Sequence, residues 1–340
     1  MRILENYIDL DNIENILVTL SKNYESIINS DLAEYKNQTI SAKIELDYSD
    51  KINAEAIETE MGDITVKITL SYFRELEAFY KTVFYKENPG FYRSISAESY
   101  FNESRAVFYL DLMLKLSLSV FILHEYGHIY NGHLLYIMKA KNLNSARMTN
   151  NTYEEFSTNT IDSITYQSME WNADDFASTR LISIFTHDDN IKILNLDNSN
   201  CIKSKEHMLF IIMFSSYIAF ALMGLGEKKQ FSENDFRLKK HLPKRFRAKK
   251  FIRNLIEAYN HFNEKTEFSD NQLLSAVEST METWVNLYKK IAENKDNWDT
   301  SNNTNELDEE HSKYYDLVEF HYLNKLPTIL EPFERLRTLM

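Results

Sequence analysis

The chain of 340 residues contains one cysteine, Cys201, so no internal disulfide can form. That excludes a disulfide-stapled scaffold and fits a reducing compartment. Six glycines and four prolines are all the breakers it has. Such scarcity excludes a loop-rich or collagen-like chain and favours a helix-dominated fold. The N-terminal MRILENYIDLDNIENILVTL lacks the charged-then-apolar run of a secretion signal, because acidic residues interrupt it early. Cytoplasmic residence is therefore expected. Positive charge is also short: 38 Lys and Arg against 51 Asp and Glu give a formal net charge of −13. A field of that sign repels phosphate, so no nucleic-acid partner is expected. The basic stretch 237–253 is a local exception and keeps a nucleic-acid-directed effector as a rival reading.

What is present is the composition of a globular protein, 44% hydrophobic and 26% charged, with aromatics at 13%. The length allows one large domain or two small ones. Apolar spacing predicts helix within 5–36, from Ile13, Ile16, Leu17 and Leu20. Residues 39–48 alternate, and 53–71 read as a hairpin turning at Met61-Gly62-Asp63. A small N-terminal antiparallel sheet follows from these. A helix is expected from Tyr72 to about Tyr85, with a break at Asn88-Pro89-Gly90. A longer one, apolar on most faces and so central, runs from about Ser104 to Asn131. Residues 142–162 read as a polar loop, and further helices are expected near 164–184, 205–225, 231–262, 270–293 and from His311. Residues 294–310 read as a solvated linker. The resulting division is an N-terminal helical and hairpin region at 1–100, part of or packed on a core at 101–262, then a C-terminal helical region at 263–340.

The segment His124-Glu125-Tyr126-Gly127-His128 carries the chemistry. Residues four apart share a helix face, so both imidazoles can reach one metal ion. Glu125 lies about 100° around the helix, in reach of a metal-bound water, as a general base. With nine His in the chain, chance would supply this pattern about 0.02 times. The Gly and His of the extended metzincin signature are absent, since Asn131 and Leu134 stand there. On a continuous helix His133 would point to the opposite face, and Asn131-Gly132 can also end the helix before it, so His133 is read as structural or supporting. Glu170, in Glu170-Trp171-Asn172-Ala173-Asp174, is the candidate third ligand. Asp174 shares its face and can accept a hydrogen bond from a ligating His, fixing its tautomer. Zn²⁺ is the expected cofactor, because zinc takes neutral imidazoles and a carboxylate and keeps one position open for water.

H-E-x-G-H followed by E-x-x-A-D resembles the gluzincin peptidases, among them the HtpX-like proteases. The resemblance implies a zincin-like catalytic domain, an α+β and helix-dominated fold, and a downstream H-P-x-x-x-x-R element near the metal. Here His241 and Arg247 stand at that spacing, with the Pro displaced by one to Pro243. By this resemblance both are candidate catalytic residues, stabilising an oxyanion or fixing the helix under the site; the alternative is one exposed face of a basic helix. The segment 100–106 (YFNESRA), the helix after it and HEYGHIYNGH are similar to the Lit-like phage-exclusion peptidases, over about residues 90–250. That implies a role in phage defence and an elongation factor Tu-like target.

The expectation is a zinc-dependent endopeptidase acting on a protein or peptide substrate. A non-catalytic zinc-binding regulatory module is the alternative, though it has no use for Glu125. Tyr126 and Tyr130 are further candidate oxyanion donors, and the 64–72 strand a candidate edge for an extended substrate. Residues 208–225 form an uncharged run flanked by lysines, which keeps inner-membrane association open. A single crossing would separate Glu170 from His241, so a buried core helix is preferred.

Overall fold

In the computed structural model the described residues are 10–33, 42–49, 53–83, 90–96, 98, 100–149, 161–186, 201–223, 242, 244–263, 275, 277 and 309–333. Helix α1 (Leu10–Ala33) buries Leu17, Leu20, Tyr24 and Ile28, one stripe at helical spacing. Strands β1 (Ala42–Asp47), β2 (Ala54–Thr59) and β3 (Ile64–Thr69) follow. Burial alternates along β2 and β3, as in strands with one face on a core. Gly62 takes a φ of 85° in the β2–β3 turn, a conformation that suits glycine.

The sheet is mixed, in order β1-β3-β2-β4, rather than purely antiparallel. β1 runs parallel to β3, with Ala42 opposite Ile64, while β2 is antiparallel to both β3 and β4. The fourth strand, β4 (Ser145–Thr149), comes from the segment read as a loop. Only Ala146 and Met148 turn inward there, too short an alternation to stand out among polar neighbours. The topology also overturns the expectation that 64–72 forms a sheet edge: β3 is paired on both sides, and β1 and β4 are the outer strands.

Two short helices, α2 (Leu70–Val83) and α3 (Gly90–Ser96), lead to the central helix α4 (Glu103–Tyr130). Its N-terminus is capped by Asn102, whose side chain accepts from the Arg105 N–H at 3.1 Å. Nearly every residue from Tyr109 to Tyr130 is buried, because β2 and β3, α6 (Ser163–Thr186) and α7 (Lys205–Met223) all pack on it. α4 ends at Asn131-Gly132, where Gly132 has a φ of 72°, and α5 (His133–Lys141) starts in a new direction. α8 (Lys244–Phe262) packs on α6 and α7, and α9 (Glu309–Asn324) covers the back of α6. A short α10 (Leu326–Leu330) precedes Phe333, whose backbone fills the space that a Cβ on Gly132 would need. One hydrophobic cluster runs from Leu17 to Leu330, and a smaller one joins Trp171, Leu242, Tyr314 and Val318. By length and composition α4 and α7 could each cross a membrane, yet most of each lies inside the fold.

α4 and α6 approach most closely at Gly127, where an added Cβ would stand 2.7 Å from the Ala173 Cα. The clash is with backbone, so it is relieved only by separating the helices. Gly127→Ala should therefore destabilise the protein by about 1–3 kcal/mol through overpacking, despite the better helix propensity of Ala. Thermal melts check this, and an unchanged or higher melting temperature would show that the close approach is not required.

Candidate metal centre

Because α4 and α6 cross where both carry small residues, the side chains flanking Gly127 and Ala173 meet between them. His124 and His128 stand one turn apart on α4, with their Nε2 atoms 3.1 Å apart. Glu170 of α6 places one carboxylate oxygen 3.3 Å from the His124 Nε2 and the other 3.4 Å from the His128 Nε2. All three residues are buried, and their ligand atoms lie within 4.8 Å of one another. Two ligands at ordinary bond lengths from a tetrahedral zinc stand about 3.3 Å apart. The group can hold a metal ion.

Hydrogen bonds around the histidines fix which nitrogen faces the centre. The Nδ1 of His124 lies 2.9 Å from Asp174 Oδ1, which can only accept, so this nitrogen carries a proton. His133 places its Nε2 3.0 Å from the Asn172 side-chain oxygen and its Nδ1 2.8 Å from the His128 Nδ1. Burial, and then the His128 beside it, hold the His133 pKa well below the usual value, so this ring is neutral. It donates to Asn172 through Nε2 and accepts from His128 at Nδ1. His128 thus also keeps its proton on Nδ1. In the neutral rings both Nε2 lone pairs point at each other and at the Glu170 carboxylate. The Arg247 guanidinium meets Glu170 and His124 from one side, and the two imidazole nitrogens with the carboxylate form a donor set that fits a metal cation.

Without a metal, protons do part of that work. Burial alone would lower the His124 pKa, but Asp174 outweighs it and holds the ring at about 9. The protonated Nε2 then faces the bare Nε2 of His128, whose pKa burial lowers to about 4. Glu125, buried beside the ligands, is raised to about 8, first by burial and then by the Glu170 charge, against the pull of His124. Glu55 of β2 adds to the same effect.

Arg247 of α8 supplies a permanent cation. It is buried and forked onto Asp174, with Nε 2.8 Å from Oδ2 and Nη2 2.8 Å from Oδ1. Its Nη1 reaches Glu170 at 3.0 Å, and Nη2 stands 3.3 Å from the His124 Nε2. Asp174 opposes burial with this partner and with His124, and stays below the usual carboxylate range. The exposed-face alternative for Arg247 is therefore overturned. The structure brings together His124, Glu125, His128, Glu170, Asp174 and Arg247; His241 lies outside the described residues. Tyr126 and Tyr130 line a separate cavity and not the metal centre, which removes them as oxyanion donors. The supporting role of His133 and the break at Asn131-Gly132 were legible in sequence, whereas Asn172 carried no signal of its own.

No protein-family model, curated protein or solved structure matches this chain. The reading of the site rests on its own geometry.

Two outcomes follow. Arg247→Met should cost about 3–5 kcal/mol in metal-free protein, because it strands buried carboxylates; chemical denaturation measures this, and a loss below 1 kcal/mol would show the ion pairs to be incidental. In chelator-treated protein His124 and Glu125 both bind protons more tightly folded than unfolded. Their contribution is lost as pH rises, between 6.5 and about 9 for His124 and between 4.5 and about 8 for Glu125. The metal-free melting temperature should fall from pH 6.5 to 9, and a flat profile would contradict the proton assignment.

Proposed function

We propose that this protein is a zinc-dependent endopeptidase, with His124, His128 and Glu170 as ligands and Glu125 as general base. One observation carries the reading: a buried His-His-Glu set with a carboxyl raised to about 8 on the next residue of the same helix. Two imidazoles and one carboxylate suit zinc with a fourth position left for water. Zinc bound there would supply a water acidified toward neutrality and a Lewis acid for the scissile carbonyl.

The chain's own residues do the rest. Glu125 takes the water proton and returns it to the leaving amine, a role that suits a pKa near the working pH. Asp174 holds His124 in the tautomer that ligates, and His133 does the same for His128. Arg247 holds Asp174 and Glu170, which makes it a positioning residue. Outer strand β4 is the place where an extended peptide can add main-chain hydrogen bonds, with Arg147 exposed along it. The resemblance to the Lit-like peptidases adds an elongation factor as the first protein substrate to try.

His124, Glu125 and His128 are each 1% exposed and Glu170 2%. Cleavage therefore needs an opening that admits the substrate. The same burial favours a second reading, a metal-stabilised regulatory module without catalysis. Metal analysis of wild type and Glu125→Gln, with proteolysis of bacterial lysate, separates the two. Near-equal zinc in both proteins, with cleavage falling at least about 100-fold in the variant, is the expected result. Zinc in both and cleavage in neither supports the regulatory module. Absence of zinc from reconstituted wild type would overturn both.

A further inference from the structure

The candidate ligands are 1–2% exposed, so an ion reaches them only when an element around them moves. Most of those elements share the main hydrophobic cluster: α4, α7, α8 and β3 enter it through residues such as Leu116, Phe220, Phe251 and Val66. The buried apolar residues of α9 do not. Tyr314 and Val318 join Trp171 and Leu242 in the small separate cluster, and of α9 only the half-buried Tyr322 touches the large one.

Polar contacts supply the other fastenings of α9. Tyr314 donates to Gln167 Oε1 at 2.8 Å, and Tyr322 to Asp175 Oδ2 at 2.8 Å. His321 Nδ1 stands 3.1 Å from Ser168 Oγ, and Lys250 Nζ of α8 stands 3.4 Å from Glu319 Oε1. Water replaces such partners, so they resist separation less than apolar burial does. A segment held this way opens locally at less cost than the core. α10 differs, because Leu326 and Leu330 enter the main cluster and root the C-terminal end of α9.

A recess of ≈ 10 Å³, room for about one water, lies where α6, α8 and α9 meet. Glu170, Asp174 and Arg247 of the metal centre line it, together with Trp171, Phe246 and Tyr315. Tyr315 is its α9 wall, with its ring centre 4.6 Å from that of Trp171 and 6.4 Å from that of Phe246. The recess thus connects α9 with the carboxylate of a candidate ligand.

We infer that α9 is a strap that lifts from α6 and α8 about α10, and that this local opening is the route by which an ion and solvent reach the metal centre. The lifting is a property of the fold; only the passage of an ion rests on the proposed zinc site.

Two measurements on the full chain test this. Hydrogen exchange read by mass spectrometry should find the α9 amides exchanging at least about 100-fold faster than those of α4. Zinc uptake by chelator-treated protein should follow the same opening. The double variant Lys250→Cys with Glu319→Cys, joined by a short bismaleimide, ties α9 to α8; Cys201 is buried and out of the reagent's reach. Compared with the same variant before cross-linking, α9 exchange and zinc uptake should both slow at least about tenfold. Tyr322→Phe, which removes one fastening, should speed both about fivefold and leave α4 exchange unchanged, and it provides the same test if the double variant does not fold. α9 exchange as slow as that of α4, or undiminished zinc uptake in the cross-linked protein, would overturn the inference. Fast α9 exchange that the cross-link slows, in a chain that takes up no zinc, would uphold the strap and overturn the zinc site instead.

Discussion

The fork of Arg247 on Asp174 is the interaction on which the metal centre depends. A carboxylate buried between helices is costly, and Asp174 is retained as one because a guanidinium faces it. Asp174 in turn holds the Nδ1 proton of His124, which makes Nε2 the nitrogen that a metal would take in place of its proton. Arg247 also touches Glu170 of α6 and, through Nη2, His124 of α4, so one side chain from α8 meets groups on both motif helices. The helices can come this close because Gly127 meets Ala173. Packing and electrostatics therefore specify the same geometry, as expected of a functional constellation built on rigid elements.

The charge at the centre can be balanced in two ways. In the metal-free protein, protons on His124 and Glu125 compensate the buried carboxylates together with Arg247. A dication at the ligand atoms would replace both, leaving His124 free to ligate and Glu125 free to accept. Metal binding would then release protons and prepare the proposed base in a single exchange.

Much of this was legible in the chain. The H-E-x-x-H residues stood out by their spacing and E-x-x-A-D, common by itself, only in combination with them, and the long apolar run from Ser104 onward predicted a central helix that the structure places at the middle of the core. The mixed, helix-dominated α+β fold was legible in outline only. The parallel pairing of β1 with β3 is a long-range choice that alternation cannot encode, since alternation defines faces and not partners. β4 was hidden because two inward residues among polar ones carry little periodic signal. Arg247 was visible as a candidate through the resemblance, but its burial depends on how α8 packs against α6 and α7. His133, read as structural or supporting, is placed against the Nδ1 of His128, and the left-handed Gly132 ends the helix as Asn131-Gly132 had suggested.

The contact between Gly132 and Phe333 has a consequence in time. α4 emerges early in synthesis, with two of the three candidate metal ligands already on it. Its end is closed by a residue made some two hundred positions later, and the back of α6 is covered by α9, through His321 on Ser168 and Tyr322 on Asp175. A nascent chain still on the ribosome would carry every ligand, yet lack the segment that completes their surroundings. The candidate site is thus completed by distant parts of the sequence, and a polypeptide interrupted before α9 and α10 would carry the His-His-Glu group without the segments that close around it.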